Sequence, residues 1–290
     1  VNELEELAER VELAGMQSLY AAAPSVGANA RIRSVGRAVA LCLDGVKHEM
    51  LGRVFGLGLH EPATREGVEA TVDWFRTCDA GPFLVHASPG ARPGEVRDWL
   101  VGSGLRRHRA WMKFARERGA VGRPASELAV RRVGPELGQA FADIACATFE
   151  LPEGSHALVA RITDLEGWHA FVSFAGQTPA GAGALFVSDG VGWLGFGATK
   201  PEFRSRGGQA AVIAARLEAA FDLGCRLVIT ETGVAKAGDP QHSYKNILKA
   251  GFRELYERDN FMGGEAGHFD GAGVPRKTPA SPASQRSGGE

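Results

Sequence analysis

Residues 195–223 read GFGATKPEFRSRGGQAAVIAARLEAAFDL, and the junction inside them, Arg204-Ser205-Arg206-Gly207-Gly208-Gln209-Ala210, decides the fold. Beyond it the periodicity predicts a helix from about Gly207 to Leu223. Ile213, Leu217 and Ala220 repeat at i, i+4 and i+7, Arg216 and Glu218 point elsewhere, and Gly224 supplies the stop. Before it, runs at 168–174, 180–187 and 191–198 read as three strands, with Asp189-Gly190 as a tight hairpin between the last two. A strand followed by two glycines and a helix gathers unpaired backbone N–H groups at the positive end of a helix dipole. Glycine admits a ligand close to the backbone, and Arg204 and Arg206 add cationic donors, so the junction suits a phosphate or pyrophosphate. The competing reading is a plain glycine turn with two solvated arginines.

Outward from the junction, the second half reads as a mixed α/β domain. A strand at 128–133, a helix at 136–149 and a short helix at 153–165 precede the hairpin. CRLVITET (225–232) is a continuous apolar run with β-branched residues, the mark of a strand covered on both faces. A helix around 241–250, ended by Gly251, and a strand at 252–261 complete it; Ser243 or Asp239 is placed to cap that helix. Trp168 and Trp193 are candidates for an acceptor pocket or, more ordinarily, for core packing.

Composition narrows the partners. A chain of 290 residues that is 44% hydrophobic and 23% charged has ample core for two domains. Its net charge of −1 provides no global field to gather nucleic acid or anionic lipid. Cys42, Cys78, Cys146 and Cys225 are scattered within mostly apolar stretches, which predicts buried free thiols and a reducing, cytoplasmic setting. VNELEELAERVELAGMQSLY reads as a charged amphipathic helix without the layout of a secretion signal, and no apolar run has a membrane-spanning length. The stretch ARERGAVGRPASE (115–127) reads as a linker, and the Gly/Pro/Ser/Ala-rich tail 263–290 as disordered.

Common alternatives fail on spacing. GLGLHE, GAGALF and GFGATK lack the third glycine of a dinucleotide fingerprint, and neither a G-x-x-x-x-G-K-[ST] loop nor a G-x-S-x-G elbow occurs. HEMLG (48–52) has Gly52 where a zinc-protease motif needs its second histidine, and no metal is expected.

Taken together, GFGATKPEFRSRGGQAAVIAARLEAAFDLGC, RLVITET and SYKNILKAGF resemble the core of the GNAT superfamily of acyl-CoA-dependent N-acyltransferases, over roughly residues 128–262. That family's pyrophosphate loop, Q/R-x-x-G-x-G/A, is matched by Arg204-x-x-Gly207-x-Gln209, with Gln209 departing from the usual small residue. The resemblance implies acetyl-CoA as co-substrate. Its pyrophosphate would meet the amides of Arg204, Ser205, Arg206, Gly207, Gly208, Gln209 and Ala210, its thioester and pantetheine arm the backbone near Phe196 and Gly197, and Asn246 would flank that arm.

The implied chemistry is attack of a neutral amine on a thioester, which needs a base for the ammonium proton and an acid for the leaving thiolate. Glu231, at the end of RLVITE, is the candidate base, against the alternative of a solvated carboxylate closing a strand. The family's tyrosine acid falls on Ile247, so the usual acid is missing; Tyr244, nearby on the same helix, is the candidate substitute, with solvent as the other source.

The first half repeats the second. GLGLHEP (56–62) parallels GFGATKP (195–201), FLVHA (83–87) parallels LVITE, and LVGSGLRRHRAWMKF (100–114) parallels ILKAGFRELYERDNF. Where the second half has EFRSRGGQAAV the first has ATREGVEATV, keeping one glycine and one arginine and adding Glu66. The expectation is therefore two tandem GNAT-like domains on an α/β mixed sheet, a degenerate one over 1–118 and an intact one over 126–262. The expected activity is transfer of acetyl from acetyl-CoA to an amine of a small molecule or a peptide or aminoacyl acceptor. The alternative is a non-catalytic acyl-CoA-binding regulatory module of the same fold. No nucleic-acid or membrane partner is expected, and a homodimer is left open.

Overall fold

The computed structural model describes residues 2–79, 81–236, 238 and 240–264; Asp239 and the tail 265–290 lie outside these. Helix α1 (Glu3–Ala21) leads into the hairpin β1 (Ala30–Val35)–β2 (Ala38–Leu43), then β3 (Gly52–Phe55), α2 (Arg65–Thr77), β4 (Phe83–Ala87), α3 (Val96–Gly102) and β5 (Arg106–Glu117). The second half opens with β6 (Ala129–Val133), α4 (Gly138–Phe149) and α5 (His156–Ala160). It continues through β7 (Trp168–Ala175), β8 (Thr178–Ser188), β9 (Val191–Thr199), α6 (Gly208–Asp222), β10 (Leu227–Gly233), α7 (His242–Lys249) and β11 (Arg253–Gly263). From β1 to β5 and from β7 to β11 the order of elements is the same.

The eleven strands among the described residues form one sheet in the order β1-β2-β3-β4-β11-β5-β10-β9-β8-β7-β6. Among the described residues only β3–β4 and β9–β10 pair in parallel. The two halves exchange their last strands: β11 of the second half pairs with β4 of the first, and β5 of the first pairs with β10 of the second. A contiguous stretch of sequence is therefore not a contiguous stretch of sheet. Ala115–Glu117, read from composition as the start of a linker, instead close β5, and Ala115 is fully buried.

The strands form where expected for physical reasons visible along the chain. Leu227–Thr230 of β10 are buried, as an apolar run covered on both faces requires. Asp189 and Gly190, both at positive φ, make the β8–β9 turn. Helix α6 stops where Gly224, φ +86°, allows the Cys225 N–H to reach back to the Ala220 carbonyl.

Helices cover both faces. α1, α4 and α5 pack on one face in a single apolar core that runs across both halves, from Leu41 and Phe55 to Phe141 and Trp193. The opposite face carries two cores, one under α2 and α3 and the other under α6 and α7. Arg216 corrects the expectation that it points away from the apolar face of α6: it is only 4% exposed and turns toward the sheet. No helix among the described residues is long and apolar enough to cross a membrane.

Candidate active site

The loop before α6 is shaped by left-handed residues. Ser205 (φ +63°) and Gly207 (φ +77°) reverse the chain after the extended Arg204, and Gly207 occupies the N-cap position with no side chain capping the helix. The first bond into the helix runs from the Ala211 N–H to the Gly207 carbonyl. The amides before it, at Gly208, Gln209 and Ala210, belong to the unsatisfied first turn. Both glycines are also needed because residues 125–128 pass beneath them. A Cβ on Gly207 would stand 2.2 Å from the Ala125 carbonyl oxygen, and one on Gly208 2.6 Å from Leu128 Cδ1.

The loop's side chains are used unequally. Arg206 is held by Glu127 (Nε to Oε2, 2.7 Å), whereas Arg204 makes only a long bond from Nε to the Thr199 carbonyl (3.4 Å) and no ion pair among the described residues. Gln209 swings away from the loop and ties α6 to α7: its Nε2 donates to Ser243 Oγ (2.9 Å) and its Oε1 accepts from Asn246 Nδ2 (2.8 Å). Its departure from a small residue thus leaves the helix terminus clear. Asn246, 37 residues away in sequence, meets the loop through this bond.

Next to the loop the sheet opens. β9 and β10 stay paired as far as Leu194 and Thr230, where Thr230 Oγ1 donates to the Leu194 carbonyl (2.9 Å). Past that point β10 remains on β5, while β9 remains on β8 through a register shift opposite Ala182–Ala184 that puts Phe196 at φ +53°. The result is a wedge with Phe196 and Gly197 on one wall. Glu231, the first residue beyond the last pair, stands on the other wall. Trp168, Trp193 and Phe196 cluster with Phe186 on the α1 side, where Trp168 Nε1 donates to Ser18 Oγ (2.8 Å).

Glu231, itself partly buried, joins a buried set of charges that the strand exchange assembles. Lys113 Nζ on β5 donates to Glu231 Oε2 (2.6 Å) and to Glu12 of α1. Glu12 also accepts from Arg53 of β3 and Arg258 of β11, and Arg258 reaches Glu9 (3.0 Å). Arg53 Nε donates to His86 Nε2 (2.9 Å), so the His86 proton sits on Nδ1, which bonds Asn260 Oδ1 (2.6 Å). Burial, and then the Glu12 charge, push the Glu231 carboxyl up from its ordinary value, with Lys113 opposing them. Glu12 lies well below the ordinary range: burial works against its ionisation, but Arg258, Lys113 and Arg53 together outweigh it. A carboxylate made more basic at the wall of a wedge is suited to accept a proton.

Tyr244 is not brought to this carboxylate. It packs on Phe114, which belongs to the α6–α7 core on the opposite face, and its hydroxyl donates to Glu254. Burial and Glu254 push it up to about 12. A tyrosine passed over in the sequence shares a row with Glu231 instead. Tyr256 and Glu231 are the partners of Lys113 on its two flanking strands, and Tyr256 donates to Glu9 (2.8 Å). Its signal in the sequence is faint, a tyrosine inside a mostly charged strand.

The equivalent place in the first half is built differently. Thr64 caps α2 by accepting from the Gly67 N–H (3.0 Å), which satisfies a donor that α6 leaves without a side-chain cap. The Gly58 carbonyl accepts from the Arg92 N–H (2.8 Å), and a Cβ on Gly58 would come 2.5 Å from the Arg92 carbonyl oxygen, so the Arg92 backbone occupies the approach to Gly58. In the parallel of FLVHA with LVITE, Ala87 stands where Glu231 does. A cavity of about 600 Å³ opens elsewhere in that half, lined by Phe75, Phe83 and Arg76, and does not include Glu231 or the 204–210 loop. Among the described residues no group of three or more His, Cys, Asp or Glu could hold a metal ion.

No family model and no curated protein matches the sequence. Solved structures do. A GCN5-related N-acetyltransferase from Kribbella flavida superimposes with a TM-score of 0.60 at 19% identity, over 90% of this chain and 96% of that one. Another from Sphaerobacter thermophilus gives 0.55 at 15% identity, over 78% and 80%. A tandem GNAT protein from the clavulanic acid biosynthesis pathway gives 0.52 at 16% identity, over 86% and 85%. The chain thus has the fold of the GCN5-related N-acetyltransferases, on a mixed α/β sheet and in a tandem arrangement.

Proposed function

We propose that the chain is an acetyl-CoA-dependent N-acetyltransferase acting on an amine of a small molecule or peptide, with one donor site, in the second half. The observation that carries this reading is the continuity of three features. These are a helix N-terminus without a side-chain cap at Gly207–Ala210, a wedge walled by Phe196 and Gly197, and a partly buried carboxylate at the first position past the last β9–β10 pair. A pyrophosphate would meet the amides of the α6 first turn, with Arg204 available to neutralise it. A pantetheine arm would take the place of the missing strand pairing between β9 and β10.

In this reading Glu231 accepts the proton of the attacking ammonium, directly or through water, and Lys113 fixes the carboxylate's orientation. Tyr244 takes no part in proton transfer, because its hydroxyl is engaged by Glu254. The first half supplies Lys113, Glu12 and the face of α1 against the second half's sheet, and binds no donor. The four cysteines are buried free thiols, which supports a reducing, cytoplasmic setting. The test is release of free CoA thiol from acetyl-CoA across a panel of primary amines. Amine-dependent release supports the enzyme; tight acetyl-CoA binding with no turnover on any amine would favour a regulatory module.

A further inference from the structure

Arg216 is a buried cation without a counter-charge. Its guanidinium lies between α6 and the sheet, where Nε donates to the Val212 carbonyl (3.2 Å) and Nη1 to the carbonyls of Ala184 (3.0 Å) and Gly195 (3.1 Å). No carboxylate pairs with it among the described residues, and Nη2 makes no hydrogen bond there; a Cβ on Gly197 would lie 3.6 Å from Nη2. Burial alone pushes its pKa down, to about 9, so it stays cationic near neutrality. The surroundings are built around it. A Cβ on Gly183 would stand 2.8 Å from Cζ, so β8 has a glycine where the guanidinium needs room.

A desolvated charge costs several kcal/mol unless something compensates it, and carbonyl dipoles do so only in part. The two carbonyls it binds across the sheet are those at the irregularity where β9 leaves register with β8, immediately before Phe196 and Gly197. The cation therefore sits beneath the wall assigned to the thioester, on the face that holds Ile247 and Tyr244. Neither position expected to supply the acid has a free one among the described residues: Ile247 is apolar, and the Tyr244 hydroxyl donates to Glu254.

We infer that Arg216 stabilises the CoA thiolate as it leaves, so that the reaction needs no protein acid on that face; this rests on the donor reading above. The acceptor nitrogen, deprotonated by Glu231, donates its lone pair to the thioester carbon, and the N–C bond forms. The C–S bond breaks with its electron pair passing to sulfur, which departs as thiolate beside the guanidinium. The nitrogen's remaining excess proton passes to water, and Arg216 keeps all of its own. Charge stabilisation of this kind lowers the barrier without proton transfer.

The consequence can be read without knowing the acceptor. CoA bound to the full chain is titrated through its thiolate ultraviolet absorbance, beside free CoA in the same buffer. The bound thiol should ionise at least ~1 pH unit below free CoA, the size of effect an adjacent opposite charge produces. In Arg216→Met, and in Arg216→Gln as a second neutral variant that can still donate one bond, its midpoint should return to or above that of free CoA. A wild-type thiol that titrates with free CoA, or neutral variants that leave the midpoint unmoved, would overturn the inference while leaving the donor site standing. Failure of the wild type to bind CoA at all would overturn both.

Discussion

Lys113 Nζ lies 2.6 Å from Glu231 Oε2, although the lysine belongs to the first half of the chain and the glutamate to the second. The exchange of β5 and β11 creates this contact by setting β5 directly beside β10. Lys113 is fully buried, so the pair lacks the solvent screening that makes surface salt bridges weak.

Removing one partner should therefore be costly. Lys113→Met should lower unfolding stability by about 3–5 kcal/mol, the range for an orphaned buried charge. Combining it with Glu231→Gln should cost less than the two changes added, by about 0.5–3 kcal/mol, in urea unfolding of all four proteins. Strict additivity would show that the two residues are not coupled.

A second expectation concerns pH. Burial first, and then Arg258 and Arg53, hold His86 well below its ordinary 6.5, so the unfolded chain binds a proton that the native one refuses. Stability from His86 is present above about 6.5 and is lost as pH falls toward the depressed value, at up to about 1.4 kcal/mol per pH unit. His86→Gln should flatten this slope in urea midpoints taken from pH 7 to 5; an unchanged slope would assign the loss to other groups. Glu12, held low, contributes stability that is lost at still lower pH. Glu231, held high, has the opposite sign, its contribution being present in acid and lost as pH rises through its raised value.

Ser173 offers a change that should stabilise. Its hydroxyl is fully buried and has no hydrogen-bond partner among the described residues. An unmet buried polar group costs about 1–3 kcal/mol, so Ser173→Ala should raise stability by about 1 kcal/mol. A loss measured by thermal unfolding would mean that the hydroxyl has a partner in solution.

Much of the second half was legible because its signals are local. Periodicity and Gly224 placed α6, observed as Gly208–Asp222, and Asp189-Gly190 placed the β8–β9 hairpin. The strand exchange was not legible, since β5 and β11 are similar strands and sequence order alone favours pairing each within its own half. Nor was the charge cluster. Glu5, Glu9 and Glu12 give α1 the look of a solvated face, yet all three are buried against basic residues that arrive from distant strands, or against backbone. Arg216 carried a usable signal, four residues from the buried Val212 and Ala220 on one stripe, but a charge in such a stripe reads as exposed unless its partners are known. Of the proposed site, the loop and Glu231 could be named from sequence, whereas Lys113, Arg216 and Tyr256 depend on contacts made across the sheet.

The central claim is that the chain binds CoA once, at the loop before α6. Isothermal titration of CoA into wild type, Gly207→Val and Gly58→Val tests it most directly, because each substitution forces a Cβ into backbone, at Ala125 or at Arg92. The predicted result is one site per chain, weakened at least ~10-fold (about 1.4 kcal/mol) by Gly207→Val and unchanged in folded Gly58→Val. No binding, two sites, or a single site that survives Gly207→Val and is lost in Gly58→Val would contradict the account.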